Sequence, residues 1–191
     1  IDEGTVFWED QPVKIPNPSQ SRALGINVVH QDRTLIPTFD GVENAYLGRE
    51  YPHKGVQVDW KTMWETVEKT RNELGIELDL SKMAIELSPP QKTCLEIIRA
   101  MMNDCKLLIL DEPTASLTDK ESEILFDIIG KLKKKGTSVL YVSHRMDEIF
   151  RLTDRITVFK NGSMVSCVKT SEVDKDKLVS MMTDEWKGSD I

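Results

Sequence analysis

Two patterns of apolar and polar positions run through this chain. Short apolar runs occupy 26–29, 107–110 and most of 138–142, while 60–74, 88–102 and 121–134 space their apolar residues three and four apart with charges between. The first pattern predicts strands buried on both faces, as in a parallel sheet; the second predicts amphipathic helices. In the first helix the stripe is Trp60, Met63, Trp64, Val67, Arg71 and Leu74, read as packing, with Asp59 as N-cap and Gly75 as stop. The second helix is expected to carry Cys94 or Leu95, Ile98, Ala100 and Met101 as its apolar positions. The third has Ile124, Leu125, Ile128, Ile129 and Leu132 on one side and a Lys133-Lys134-Lys135 tail suited to a helix C-terminus.

Smaller elements follow from turn residues. Residues 5–8 and 13–15 predict a β-ribbon around Glu9-Asp10-Gln11, closed by Pro16 and Pro18, and 19–24 a helical turn ended by Gly25. A short helix is expected over 42–47 after Asp40-Gly41, and 51–58 is a break in composition. Strands 154–159 and 163–169 flank Lys160-Asn161-Gly162, and Asn-Gly is a strong hairpin signal. A capping segment from Ser171 precedes a last helix over 175–182. The expected class is α/β: a mostly parallel sheet with helices, a small helical subdomain, and a C-terminal hairpin and helix. Three segments are expected, 1–54, 55–105 and 106–191.

Composition narrows this only slightly. The chain has 191 residues, 39% hydrophobic and 30% charged, which suits a soluble globular domain with a core. No apolar run approaches the ~18 residues of a membrane span, so a membrane role would be peripheral. A net charge of −7 argues against a broad nucleic-acid surface. Cys94, Cys105 and Cys167 are odd in number and lack a CxxC pair, and are expected as reduced core fillers.

The candidate chemistry sits at strand ends. The run 107–110 leads straight into Asp111 and Glu112, and ligands of open parallel sheets bind at carboxyl ends of strands. Two adjacent acids there suit phosphoryl transfer, one holding Mg²⁺ and one polarising water, although many strands simply end in solvated acids. Strand 26–29 delivers His30 and Gln31 to an equivalent place, and strand 138–142 delivers Ser143 and His144. Three polar strand ends in one parallel sheet favour a shared cleft.

Taken in order, LSPPQKTCLEIIRA, LLILDEPTASLTD and VLYVSHR resemble the ATP-binding cassette (ABC) ATPases. The stretches from Gly25 to Glu50, Asp111 to Glu121 and Phe159 to Glu185 are similar, more narrowly, to ATPase subunits of ribose/galactose-type monosaccharide importers. The resemblance implies a P-loop NTPase-like ABC core that hydrolyses ATP with Mg²⁺ on the cytoplasmic face of a membrane. Its implied partners are transmembrane permease subunits and a second ATPase half or a homodimer mate, with no nucleic acid. By the same resemblance Gln31 matches the Q-loop glutamine near Mg²⁺, and Leu87, Ser88 and Gln91 the signature that contacts ATP on the opposite subunit. Asp111 matches the Walker B acid, Glu112 the general base, Thr114 to Asp119 the D-loop, and His144 the switch histidine.

Two departures from the family pattern change the expectation. Nothing here fits G-x-x-x-x-G-K-[ST]; the nearest approach, Gly130 to Thr137, has Lys135 at the second glycine position. In the family that loop lies ahead of the position matching Ile1, so this chain alone is expected to bind MgATP poorly. Second, Pro89-Pro90 stands in the signature where small residues are usual. Proline removes N–H donors, each worth ~1.5–3 kcal/mol toward a charged partner, yet Pro after Ser88 also makes a stable helix start. A different class of reading is therefore a non-catalytic ABC half that serves as an interaction module. A DNA-repair or chromosome ATPase is disfavoured, because 55–87 is too short for a coiled-coil insertion.

Overall fold

The computed structural model describes residues 3–30 and 34–183, and the chain divides into two units, Ile1–Leu140 and Tyr141–Ile191. In the first unit, β1 (Val6–Trp8) and β2 (Gln11–Val13) pair antiparallel across a two-residue turn. Glu9 and Asp10 both take positive φ there, as a tight hairpin turn requires. Gln11, expected in the turn, therefore pairs with Trp8 instead.

Helix α1 (Pro18–Ala23) is capped by Asn17, whose side chain accepts from the Gln20 N–H at 2.9 Å. Gly25 then turns the chain at φ +80 into β3 (Ile26–Val29). A Cβ at Gly25 would stand 2.6 Å from the Asp104 carbonyl, so only glycine permits this approach. The Gly25 carbonyl in turn accepts from the Lys106 and Leu107 N–H groups and sets the start of the neighbouring strand.

That neighbour is β6 (Leu107–Asp111), parallel to β3 with Ile26 opposite Leu107 and Val29 opposite Leu110. The order is β3-β6-β7, and β7 (Ser138–Val142) enters through Ser138, whose N–H donates to the Lys106 carbonyl. Burial is less symmetric than the apolar runs suggested. Leu108 and Leu110 are sealed while Leu107 and Ile109 are only half-buried, and in β7 Leu140 is 50% exposed. One face of these strands is closed and the other is partly open, so an unalternating apolar run here does not mean two covered faces.

Between β3 and β6 lie α2 (Gly41–Ala45), a two-residue ribbon of β4 (His53–Lys54) and β5 (Gln57–Val58), α3 (Trp60–Leu74), a 3₁₀ turn over Ala84–Glu86, and α4 (Pro89–Met101). The ribbon occupies the composition break and was not anticipated. Asp59 caps α3 through the Thr62 N–H, and Gly75 ends it. Met63, Val67 and Leu74 of the expected stripe are buried, but Trp60 is 53% and Trp64 38% exposed, so the tryptophans are not core. They flank the buried line on its outer edge, where a three-four pattern does not separate seam from margin. Helix α4 packs on β3, α2, α3 and α5 (Asp119–Lys134), and its Leu95, Ile97 and Ile98 are fully buried. In α5, Leu125, Ile128, Ile129 and Leu132 face inward as expected; Ile124 is exposed, and Ser122 and Phe126 hold the inner line instead.

In the second unit, α6 (Met146–Leu152) follows β7, and β8 (Arg155–Lys160) pairs with β9 (Ser163–Lys169) through Asn161-Gly162. A 3₁₀ turn over Thr170–Glu172 precedes α7 (Lys175–Met182). Its N-cap is Asp174, accepting from the Lys177 N–H at 2.8 Å, not Ser171, which lies in the 3₁₀ turn. Ile156, Val158, Val173, Leu178 and Met181 form this unit's core. Cys94 and Cys105 are buried and Cys167 is exposed; all three are free. Among the described residues, no helix is long and apolar enough to cross a membrane.

Candidate functional site

Asp111 is the last residue of β6 and Glu112 the first beyond it, both half-buried. Glu112 has φ +45, a left-handed conformation that costs a non-glycine residue roughly 1–2 kcal/mol. Strain of this kind persists only where the surroundings impose it, and it clusters at functional sites. Here the turn is held by two backbone bonds, Ala115 N–H to the Glu112 carbonyl at 3.1 Å and Leu117 N–H to the Thr114 carbonyl at 3.0 Å. Pro113 and Thr114 are buried beneath it. The turn ends in a capping box: the Thr118 N–H and hydroxyl donate to Glu121 Oε2 at 2.8 and 2.9 Å, starting α5 at Asp119. Asp119 is exposed at that helix start.

The parallel register sets the carboxyl ends of β3 and β6 level, Val29 beside Leu110, so the chain leaves β3 next to Asp111. Gln31 lies outside the described residues. The chain beyond it is anchored to α4: the Thr34 N–H donates to Glu96 Oε1 at 3.1 Å, and the Arg99 guanidinium donates to the Thr34 hydroxyl. Glu96 is buried, and the Arg99 guanidinium is pulled below its ordinary value by burial, against the raising effect of Glu96. Next, the Asn44 side chain takes the Ile36 N–H at 2.8 Å and donates to the Ile36, Phe39 and Asp40 carbonyls at 3.0–3.1 Å. Neither Glu96 nor Asn44 stood out in the sequence. The available signal was a carboxylate on the apolar side of α4, between Leu95 and Ile97.

Ser88 and Gln91 sit at the start of α4, with Pro89 and Pro90 as its first two residues. Gln91 Oε1 accepts the Ser88 N–H at 2.9 Å, so this amide is turned back onto its own helix. Leu87 is buried beside it.

His144 lies in the second unit, exposed, just after β7. Its loop is clamped on Glu148, a buried acid of α6. The Tyr141 hydroxyl donates to Glu148 Oε2 at 2.7 Å and the Ser143 hydroxyl at 3.2 Å, while Arg145 forms an ion pair at 2.9 Å with the other oxygen. The Arg145 N–H donates to the Ser143 hydroxyl at 3.0 Å, so the residues on both sides of His144 are held. Sequence reasoning missed Glu148 too, since an acid three residues into a helix reads as dipole compensation.

Among the described residues, no group of three or more His, Cys, Asp or Glu is placed to hold a metal by itself. Mg²⁺ in phosphoryl transfer takes one or two carboxylates and fills its other positions with water and phosphate oxygens, which the Asp111-Glu112 pair fits.

A family model described as ABC transporter matches residues 1–115, more than half of the chain. The chain belongs to the ABC transporter family. It is 38% identical over 181 residues to the ribose import ATP-binding protein RbsA of Caldanaerobacter subterraneus subsp. tengcongensis, covering 95% of this chain and 36% of that protein. It is 40% identical over 182 residues to the arabinose import ATP-binding protein AraG of Rhizobium etli, again 95% of this chain and 36% of the relative. It therefore spans about a third of the length of these curated relatives. Among solved structures, a nucleotide-free ATP-binding cassette from an ABC transporter superimposes with TM-score 0.76 at 25% identity, covering 93% of this chain and 74% of that one. A cassette in its ADP conformation gives 0.75 at 25% identity, covering 96% and 74%. The α/β class with a parallel sheet and helices is thus that of ABC cassettes.

Proposed function

We propose that this chain is part of the ATP-hydrolysing subunit of a monosaccharide ABC importer, and that the parent reaction, ATP + H₂O → ADP + Pi, is coupled to sugar entry. The observation that carries the reading is the strained Glu112 at the end of β6, directly after Asp111, in a chain of this family. In this reading Asp111 and Gln31 hold Mg²⁺, which neutralises phosphate charge when bound. Glu112 takes the proton of the attacking water, and His144 donates a hydrogen bond to the γ-phosphate as charge develops on it. Glu148 keeps the His144 loop in place, and Glu96 with Asn44 keeps the chain after Gln31 in place. Ser88, Gln91 and Asp119 face the ATP of a second cassette, in a homodimer or a second half. Segment 1–54 belongs to the ATPase core with the Q-loop, 55–105 to a helical subdomain, and 106–191 to the core with the C-terminal hairpin and helix. The parent works as a peripheral protein on the cytoplasmic side of permease subunits.

No phosphate loop occurs in these 191 residues, so the test belongs to the parent protein. There, Glu112→Gln is expected to abolish ATP turnover while ATP binding is kept or tightened. Unchanged turnover would remove Glu112 from the role of base. A second reading, a non-catalytic ABC half that docks on a permease or on a complete ATPase half, is favoured by the α4 start. Two of its first three N–H donors are absent and Gln91 is turned inward. Parent protein that binds no ATP would support that reading over the first.

A further inference from the structure

The first unit contains a cavity of about 720 Å³ between α1, β3, the end of α2 and α4, whose described lining includes neither Asp111 nor Glu112. Among the described residues its charged lining is Arg22, Arg49 and Arg99 against one carboxylate, Glu96, with His30 and Thr34 also lining it. Three guanidinium groups meet here in a chain whose net charge is −7.

Two of the three arginines are held in position by hydrogen bonds of their own. Arg49 donates through Nε to the Ala45 carbonyl at 3.2 Å, and through its other nitrogens to Asn103 and the Arg99 carbonyl. Arg99 donates to Thr34. Arg22, at the last turn of α1, makes no side-chain hydrogen bond or ion pair with the described residues, and its charge acts on both of the others. Burial first, then Arg22 and Arg99, pull the Arg49 guanidinium below its ordinary value. Half-buried like charges repel in a medium less polar than water, and a bound anion is what relieves them. The volume is that of a small-molecule cleft, and the planar fork of arginine matches phosphate oxygens two at a time.

We propose that this cavity is a binding site for a phosphate group, free or carried on a small metabolite, gripped by Arg22 with the remaining donors of Arg49 and Arg99. The grip uses none of the side chains assigned to hydrolysis, and the proposal does not depend on that reading. A docked acidic peptide is the competing occupant. The concave shape of the cavity and the held guanidinium groups of Arg49 and Arg99 favour the small ligand.

The test is calorimetric titration of the chain with inorganic phosphate and with glycerol phosphate, against sodium chloride at matched ionic strength. Saturable binding is expected, weakened at least about tenfold in Arg22→Gln and partly restored in Arg22→Lys. Circular dichroism checks that the variants stay folded. Arg22 is half-exposed at a helix end, so the fold is expected to survive. Asp111→Asn is expected to leave phosphate affinity unchanged. Absence of saturable phosphate binding overturns the proposal, as does equal affinity in Arg22→Gln. An affinity that changes with Asp111→Asn but not with Arg22→Gln would move the phosphate to the β6 end and also overturn it. So would binding of a Glu-rich peptide with no response to phosphate.

Discussion

Asn44 is fully buried and gives its whole side-chain amide to four backbone groups between Ile36 and Asp40. Removing it leaves the Ile36 N–H without its acceptor, while the three carbonyls keep backbone donors from Phe39, Ala84 and residue 44 itself. Asn44→Ala is therefore expected to destabilise the unit by about 1–3 kcal/mol, read as a lower urea midpoint with an unchanged slope. The cysteines separate by environment. Burial pushes the Cys94 thiol up to about 11, and burial also raises Cys105. Exposed Cys167 is held below the usual thiol range by its contacts with the Thr157 hydroxyl and the Arg155 guanidinium. The thiolate is the reacting species, so iodoacetamide near neutral pH should modify Cys167 first. Mass mapping that finds Cys94 or Cys105 labelled ahead of it would refute this.

Helix ends carry much of the organisation of the elements. Lys131 and Lys135 of α5 reach the last carbonyls of α3, Lys131 Nζ donating to Leu74 O at 3.2 Å and Lys135 Nζ to Glu73 O at 2.8 Å. The sequence pattern assigns Lys133-Lys134-Lys135 to the C-terminus of its own helix; of these Lys135, with Lys131 a turn earlier, serves a neighbour's. At the other end of α5, two hydrogen bonds from Thr118 hold the Glu121 carboxyl below its ordinary value. A folded-state pKa below the unfolded one adds stability above the ordinary carboxylate range, and that stability is lost as pH falls through the folded value. Thr118→Ala should thus lower the melting midpoint by about 2–4 °C at neutral pH, with the deficit shrinking as pH drops below that range. A deficit that is the same at every pH would mean that Glu121 takes no part.

For the molecule as a whole, the start of α4 bears on the proposed meeting with a second cassette. Pro89 and Pro90 make a rigid helix start but offer no N–H, and Gln91 is turned back to Ser88. If this end addresses the nucleotide of an opposing cassette, Pro90→Gly in the parent protein should raise ATP turnover, even though glycine weakens the helix. Unchanged turnover would show that the missing donor does not limit the reaction. Asp111 and His144 each stand at the end of a strand, but they fall in different units of the chain, and their convergence belongs to the proposed function.

Local rules were enough for much of this chain. The runs at 26–29 and 107–110, the Asp59 cap, the Asn161-Gly162 hairpin and the limits of α7 were legible because each depends on neighbours within a few residues. So was the Asp111-Glu112 pair at a strand end, since an apolar run followed by two acids leaves them little other choice. Tertiary structure decided which members of each apolar stripe are sealed, leaving Trp60, Trp64, Ile124 and Leu140 outside, because periodicity fixes a face but not its width. It also decided the roles of Glu96 and Glu148 and the meeting of Arg22, Arg49 and Arg99. The partners of Glu96 and the arginine cluster lie tens of residues apart in the chain. Those of Glu148 are close in sequence but depend on how the β7–α6 turn is folded, which no local pattern encodes.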